Sequence, residues 1–254
     1  MVRPALGSAL ATADACADGD AADVGTCERL VSVLGIDAWT GGWVAVLLVD
    51  GRFADAFTAP GIGSLLDGRP DAVMVAVDIP IGFPVGPEPR AADVAARRFV
   101  GPRRSSVFMT PPRAVLEQPD YGTANACCRE LTGRGLSRQS FALFRRILEV
   151  DERAAAEPRL HEVHPEASFR ALAGEPLALP KRTWGGAATR RRLLARVGLE
   201  PLDDLPAVAA VPVDDVLDAA VVAWSADRIA CGRAFTLPQD PPIDERGRAV
   251  AIWC

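Results

Sequence analysis

Long apolar runs are missing from this 254-residue chain. A membrane-spanning helix needs about 20 consecutive apolar residues, so the sequence predicts no transmembrane segment and no membrane partner. The first 28 residues also lack the basic start and the continuous apolar stretch of a secretory signal. They are rich in alanine and aspartate and predict a disordered extension, which leaves residues 29–254 as a single folded domain.

The six cysteines show neither a CxxC pair nor the spacing of a disulfide framework. They therefore predict reduced thiols and a cytoplasmic protein. None of them lies in a recognisable nucleophile motif, which argues against Cys–His catalysis. A zinc site is disfavoured as well, because no cysteine lies near the two histidines, which share one short segment.

The chain also has no surplus of positive charge. Against 28 basic residues stand 33 acidic ones, and the net charge of −5 argues against a protein that coats duplex nucleic acid with its whole surface. The basic residues form two clusters: Arg97, Arg98, Arg103, Arg104 and Arg113, then Lys181, Arg182, Arg190, Arg191, Arg192 and Arg196. They are interpreted either as solvated helix faces or as patches that contact phosphate. In the second interpretation the candidate substrate ligands are Arg103, Arg104, Arg113 and Lys181.

Apolar patterning predicts a mixed α/β fold that opens with three strands. An apolar run over 30–37 ends on Asp37, and strands over 43–49 and 52–58 follow, joined by an Asp50-Gly51 turn signal. Tight connections make these strands an antiparallel meander. After a short helix at 60–67, the nearly continuous apolar strand at 72–78 is expected in the centre of the sheet.

The character of the sequence changes between about residues 79 and 158. Prolines and helical spacing replace strand patterns there, with helices expected at 91–99, 121–131 and 137–152, so this segment is interpreted as a mainly helical insertion. Beyond it we expect a short strand at 160–164, a helix that begins at Pro165, a basic helix at 187–197 and a long helix at 213–230. A final strand is expected at 250–253.

Two of the predicted strands end on an acid. A carboxylate at the end of a buried strand is costly, yet the pattern occurs at Asp37 and again at Asp78. The connection between the two strands allows them to lie side by side, with both carboxylates at one edge of the sheet. Because such close like charges repel each other, the pair predicts a site for Mg²⁺ or Mn²⁺.

The long helix near the C-terminus supplies further acids. Asp215 and Asp218 are three residues apart and share a helix face, and Asp214 and Asp218, four apart, do so too. The choice between Asp214 and Asp215 as a metal ligand is therefore open, and acids at a helix start also complement its dipole. Asp218 is favoured as a ligand because Ala219 and Ala220 after it permit close packing.

Both histidines fall in one dense polar segment, His161 to Glu166. On a strand, Glu162 and His164 point to the same face, and Glu166 follows in the first turn of a helix. Glu166 is interpreted either as an ordinary first-turn acid or as a functional group. Acids and a histidine beside a metal site suit water activation or proton delivery to a leaving oxygen, which makes Glu162, His164 and Glu166 candidate catalytic residues.

Six ordered motifs resemble domain-of-unknown-function family 429, a group described as predicted RNase H-like nucleases. The motifs are GIDAWTGGW (35–43), VDIPIG (77–82), RRSSVF with PPR (103–113), EVHPEASF (162–169), KRTWGG (181–186) and DDVLDA (214–219). The resemblance implies an RNase H-like, or RuvC-like, sheet with metal-binding carboxylates at Asp37, Asp78, Asp215 and Asp218. Glu162, His164 and Glu166 match an element found in this family and not in the wider group.

The leading functional hypothesis is a hydrolase that cuts phosphodiester bonds of nucleic acid, or another phosphodiester, by a two-metal mechanism. A non-catalytic binding or scaffold module of the same fold is the alternative. An ATP-dependent phosphotransferase is a third hypothesis, disfavoured because such enzymes use two domains of this kind. The sequence leaves open DNA against RNA, and the oligomeric state, a homodimer included.

Overall fold

The computed structural model describes residues 30–84, 86–200 and 204–254, so the predicted extension at 1–28 lies outside the described residues. Its strands are β1 Ser32–Trp39, β2 Gly42–Val49, β3 Arg52–Ala59, β4 Ala72–Val77, β5 Leu160–Glu162, β6 Thr236–Leu237 and β7 Ile252–Trp253. Its helices are α1 Ile62–Gly68, α2 Ala91–Val100, α3 Arg113–Leu116, α4 Tyr121–Thr132, α5 Arg138–Ala142, α6 Phe144–Ala154, α7 Pro165–Ala173, α8 Trp184–Arg196 and α9 Val213–Ala230.

The main sheet is mixed and has the order β3-β2-β1-β4-β5. Strands β1, β2 and β3 form the antiparallel meander that the sequence predicts, with Asp50 and Gly51 at positive φ in the second turn. Strands β4 and β5 continue the sheet in parallel with β1. The predicted neighbourhood of β1 and β4 is therefore confirmed, and β4 is an interior strand.

The register of β1 against β4 brings the two acids together. Ile36 pairs with Val77, and the amide of Asp78 donates a hydrogen bond of 3.0 Å to the carbonyl of Ile36. Asp37 and Asp78 each follow one member of this pair, so they lie at the same edge of the sheet. Strand β1 runs on to Trp39, which places Asp37 within the strand and not at its end.

Helices cover both faces of the sheet. Residues that alternate along β1 divide between two cores: Leu34 and Ile36 pack with the insertion helices, and Val33 packs with α7, α8 and α9. This division follows from the period of two along a strand. The continuous apolar run in β1 is thus explained, because both of its faces are buried.

Gly35 allows α9 to cross β1 at close range. A Cβ atom at this position would lie 2.0 Å from the amide nitrogen of Ala223 and 2.4 Å from the carbonyl of Ala219. Only glycine permits this approach, which α9 makes through its small residues Ala219 and Ala223. Since Asp218 directly precedes Ala219, the same contact carries Asp218 to the edge of the sheet where Asp37 lies.

The insertion is helical, as predicted: among the described residues between 79 and 158, every regular element is a helix. The single helix expected at 137–152 is wrong, because Leu143 ends α5 and α6 begins at Phe144. Strand β6 was not predicted; it pairs with β7 to form a second, two-stranded sheet. Of the described cysteines, Cys127, Cys128, Cys231 and Cys254 are free thiols, as expected.

The length and the apolar character of a helix decide whether it can span a bilayer. None of those in residues 30–84, 86–200 and 204–254 combines the length and the apolar character needed to span a membrane.

Candidate active site

Acidic side chains from three elements border one cavity of about 310 Å³ at the edge of the sheet. Its lining includes Asp37 from β1, Asp78 after β4 and Asp215 from the first turn of α9, together with Lys181 and His164. Asp218, one helical turn after Asp215, is only 2% exposed. The structure therefore brings together the four acids that the sequence predicts as metal ligands.

Burial and mutual repulsion raise the pKa of these carboxyl groups. Burial, followed by the charges of Asp78 and Asp218, raises the pKa of Asp37 well above its ordinary value. Burial also raises the pKa of Asp78 and of Asp218 to about 7 each, an effect that Lys181 offsets only in part. The pKa of Asp215 is raised by burial and by Asp214. The site is thus short of positive charge at neutral pH.

Lys181 is the cation that lies among these acids. Its ammonium group donates a hydrogen bond to Asp218 and lies 3.9 Å from Oδ2 of Asp214. Burial would lower the pKa of Lys181, but Asp218, Asp37 and Asp78 raise it overall. Lys181, predicted from the sequence to bind substrate, is therefore also the counter-ion of the acidic cluster.

The residue composition also singles out Lys181. It is the only lysine of the chain, beside 27 arginines. An ammonium group is compact and carries its charge at one point, whereas a guanidinium group is planar and broad. The use of lysine at position 181, and of arginine at every other basic position, indicates that this site favours the smaller cation.

The KRTWGG motif fixes the backbone that carries Lys181. Thr183 caps α8, since its hydroxyl oxygen accepts a hydrogen bond of 3.1 Å from the amide of Gly186. A Cβ atom at Gly186 would lie 1.8 Å from the carbonyl oxygen of Pro180, so glycine is required for this turn. Arg182, which follows Lys181, pairs with Asp214 at 2.9 Å between Nε and Oδ2. Asp214 thus has arginine as its closest partner, and Asp215 faces the cavity.

No group of three or more histidine, cysteine, aspartate or glutamate side chains within residues 30–84, 86–200 and 204–254 is arranged so that it could hold a metal ion as the side chains stand. The position of Lys181 supplies a physical reason, because its ammonium group engages Asp218. One oxygen of Asp218, Oδ1, is nevertheless buried without a hydrogen-bond partner. An unpartnered carboxylate oxygen in an acidic, buried cluster is a donor suited to a hard divalent cation.

In metal-free buffer, the free energy of unfolding is expected to fall by about 1–3 kcal/mol as the pH rises from about 6.5 to 8. Carboxyl groups whose pKa is raised to about 7 bind more protons in the folded than in the unfolded state, so their ionisation destabilises the fold as the pH rises through that value. Burial lowers the pKa of His161 to about 4 and lowers that of His164 as well, so both histidines oppose this trend, but their effect fades above the ordinary histidine pKa of about 6.5. Urea denaturation with a chelator measures this slope. Millimolar Mn²⁺ should remove it, and a flat profile in chelator would contradict the assignment.

Glu162 lines the cavity, but its carboxylate is already paired. Its carboxylate accepts hydrogen bonds from Arg90 and, at 2.7 Å, from the amide of Ile81. Arg90 also donates to Asp93 and to the carbonyls of Ile81 and Gly82. Glu162 and Arg90 therefore hold the loop that follows Asp78, and the structure assigns Glu162 a positioning role at the site.

Replacing Arg90 with methionine is expected to destabilise the protein by about 3–5 kcal/mol. Arg90 is buried, and its loss leaves Glu162 and Asp93 as buried charges without a charged partner. Thermal or urea unfolding measures the effect. The matched control is Arg69→Met, which breaks the more exposed pair with Asp71 and should cost less than about 1 kcal/mol. Equal costs for the two variants would refute this role of Arg90.

His164 and Glu166 lie next to the acids and differ in their hydrogen-bond partners. The carbonyl of Ser106 lies 3.3 Å from Nε2 of His164 and can only accept, so Nε2 carries the hydrogen and the lone pair is on Nδ1, which has no partner. Burial lowers the pKa of His164. Glu166 accepts a hydrogen bond of 2.6 Å from the fully buried Arg190, and Arg103 lies 4.0 Å away.

The arginines predicted to bind substrate divide into two groups. Arg103 and Arg104 lie on the 3₁₀ turn Gly101–Ser106, whose end borders the cavity at Ser106. Arg113 begins α3, where it pairs with Asp151 and stacks over Phe83, and it does not line the cavity. The prediction for Arg113 thus has no support in the geometry, because a buried acid takes up its charge. Sequence spacing alone could not show this contact between distant segments.

The fold and the site define a mixed α/β protein with an acid-lined cavity at the edge of its main sheet. The chain matches the family described as "Protein of unknown function (DUF429)" over residues 35–243, and it belongs to that family. No curated protein and no solved structure matches it.

Proposed function

We propose that this chain is an RNase H-like hydrolase that cuts phosphodiester bonds of nucleic acid with the help of Mg²⁺ or Mn²⁺. The observation that carries the proposal is the convergence of Asp37, Asp78, Asp215 and Asp218 from two adjacent parallel strands and the helix packed across them. The meander followed by parallel strands supports the RNase H-like assignment.

The donor set fits a hard divalent cation. All four side chains offer carboxylate oxygens, burial and then the neighbouring acids raise the pKa values of Asp78 and Asp218, and Oδ1 of Asp218 has no partner. Asp37, Asp78 and Asp218 would hold the ions, with Asp215 at the mouth of the cavity. Bound there, one or two ions would acidify the attacking water and neutralise charge on the phosphate.

The remaining groups of the site bind the substrate and move protons. Lys181 and Arg103 supply hydrogen-bond donors for the non-bridging oxygens of the phosphate. In the hydrolysis, the water oxygen bonds to phosphorus, the bond to the leaving oxygen breaks, and the proton of the water passes to a base. Nδ1 of His164 is unpartnered and able to accept that proton. The leaving oxygen takes a proton from solvent.

One observation favours the non-catalytic alternative. Lys181 already provides a positive charge inside the acidic cluster, so the fold does not depend on a metal ion to bring these acids together. A binding module that kept the fold and lost the chemistry would show the same contact. Measurements of turnover separate the two functions.

A panel of substrates with Mn²⁺ tests the proposal. Single- and double-stranded DNA and RNA, a DNA–RNA hybrid and bis-p-nitrophenyl phosphate should include at least one that the wild type hydrolyses and Asp78→Asn does not. Asp240→Asn, an exposed acid outside the cavity, is the matched control and should keep full activity. An inactive wild type would favour the scaffold, and hydrolysis of ATP alone would favour a phosphotransferase.

A further inference from the structure

A second cavity, of about 440 Å³, lies within the helical insertion. It shares part of its wall with the acid-lined cavity, because Ser106, Val107, Phe108 and Leu143 line both. Its volume falls within the roughly 300–1,000 Å³ of pockets that enclose small ligands. A ligand whose one end occupied the acidic cavity could therefore extend into the second.

The lining of this second cavity combines apolar side chains with polar ones, and the charged residues Glu88, Arg97 and Arg134 are among them. Phe108, Met109 and Leu136 contribute apolar surface, together with the rigid rings of Pro111 and Pro112. Gln139, whose amide both donates and accepts hydrogen bonds, lies on the exposed side. Such a lining fits a flat ring system with polar edges.

Thr110 provides an independent sign of a missing ligand. It is 4% exposed, lines the second cavity, and its Oγ1 has no hydrogen-bond partner. Buried hydroxyl groups are rarely left unpaired, because the unmade hydrogen bond costs about 1–3 kcal/mol. The amide of Thr110 donates to Asp93 at 2.7 Å, so the buried Arg90–Asp93 pair fixes the position of this residue.

We propose that the second cavity binds the nucleobase and sugar of a nucleotide whose phosphate lies in the acid-lined cavity. The shared wall through Phe108 sets the two sites side by side, and Thr110 and Gln139 supply hydrogen bonds to the edge of the base. The placement of the phosphate rests on the proposed function, whereas the affinity for the uncharged nucleoside does not. The substrate class is thus an unpaired nucleotide, because a base stacked in a duplex cannot extend into a cavity.

Binding of the four ribonucleosides to the full chain, measured by equilibrium dialysis in chelator, tests the proposal. Nucleosides carry no phosphate, so they need neither metal nor the acids. At least one should bind, equally well to the wild type and to Asp37→Asn. Gln139→Trp, which fills the mouth of the cavity, and Thr110→Val, which removes the unpartnered hydroxyl, should weaken binding by at least about tenfold and fivefold. Gln239→Trp places the same side chain at an exposed position outside the cavity and should change nothing.

The result that would overturn the proposal is the absence of nucleoside binding up to solubility, or binding that Gln139→Trp leaves unchanged. Circular dichroism of the variants establishes that they fold, and Gln139 is exposed, so its replacement does not disturb the core. Nucleoside binding without any hydrolysis would uphold this cavity and refute the proposed function. Hydrolysis without nucleoside binding would uphold the proposed function and refute this cavity as a nucleoside site.

Discussion

Asp37→Asn is expected to abolish metal-dependent hydrolysis, with a loss of at least about 10³-fold, as is typical when several kcal/mol of charge stabilisation are removed. Asp37 interacts electrostatically with both Asp78 and Asp218 and is 6% exposed, so it is well placed to share a cation with them. Initial rates on the best substrate of the panel measure the loss. Activity within tenfold of the wild type would exclude Asp37 from the site.

The same variant is expected to raise the stability of the metal-free protein by about 1–3 kcal/mol at pH 8. Asparagine keeps the shape of the side chain and removes a buried charge whose neighbours repel it. Urea denaturation in chelator measures the gain, and Asp240→Asn is the control that should show none. A loss of activity combined with a gain of stability distinguishes a functional acid from a structural one. A loss of both would mean that Asp37 serves the fold.

Lys181→Met is expected to raise the affinity for Mn²⁺ by about tenfold or more and to lower hydrolysis. The ammonium group and a metal ion compete for Asp218, so removal of the first favours the second. Without metal, the variant should lose about 1–3 kcal/mol of stability, because the carboxylate of Asp218 is left buried without its donor. Calorimetry with Mn²⁺ and urea denaturation in chelator measure the two effects.

Lys181→Arg is the matched variant. It keeps the charge but not the compact shape, and a broad guanidinium group does not fit between Asp218 and Asp214. We expect it to fall short of wild-type hydrolysis although it carries the same charge. Unchanged Mn²⁺ affinity in Lys181→Met would show that the lysine and the metal do not share a position.

Much of the fold was predictable because local patterns and tertiary contacts agree. The apolar runs of β1 and β4, the turn at Asp50-Gly51 and the small residues after Asp218 each indicate the arrangement that the structure shows. The convergence of Asp37 with Asp78 followed from two acids near the carboxyl ends of adjacent parallel strands. These features need only the period of a strand or a helix and one pairing rule.

The unpredicted parts depend on contacts between distant segments. Arg90 reaches Glu162 across 72 residues, and Arg113 reaches Asp151 across 38, so charge spacing along the chain shows neither pair. Likewise, the interaction of Lys181 with Asp218 joins a loop to a helix 37 residues later. The break between α5 and α6 at Leu143 was not predicted, because the apolar spacing continues through it. Strand β6 is two residues long, which is too short for a period to show.

The most direct test of the account is a calorimetric titration of Mn²⁺ into the wild type and into Asp37→Asn at pH 7.5. The account predicts saturable binding in the wild type, release of protons from carboxyl groups with raised pKa, and no binding in the variant. Binding of equal strength in both proteins, or none in the wild type, would contradict the carboxylate metal site.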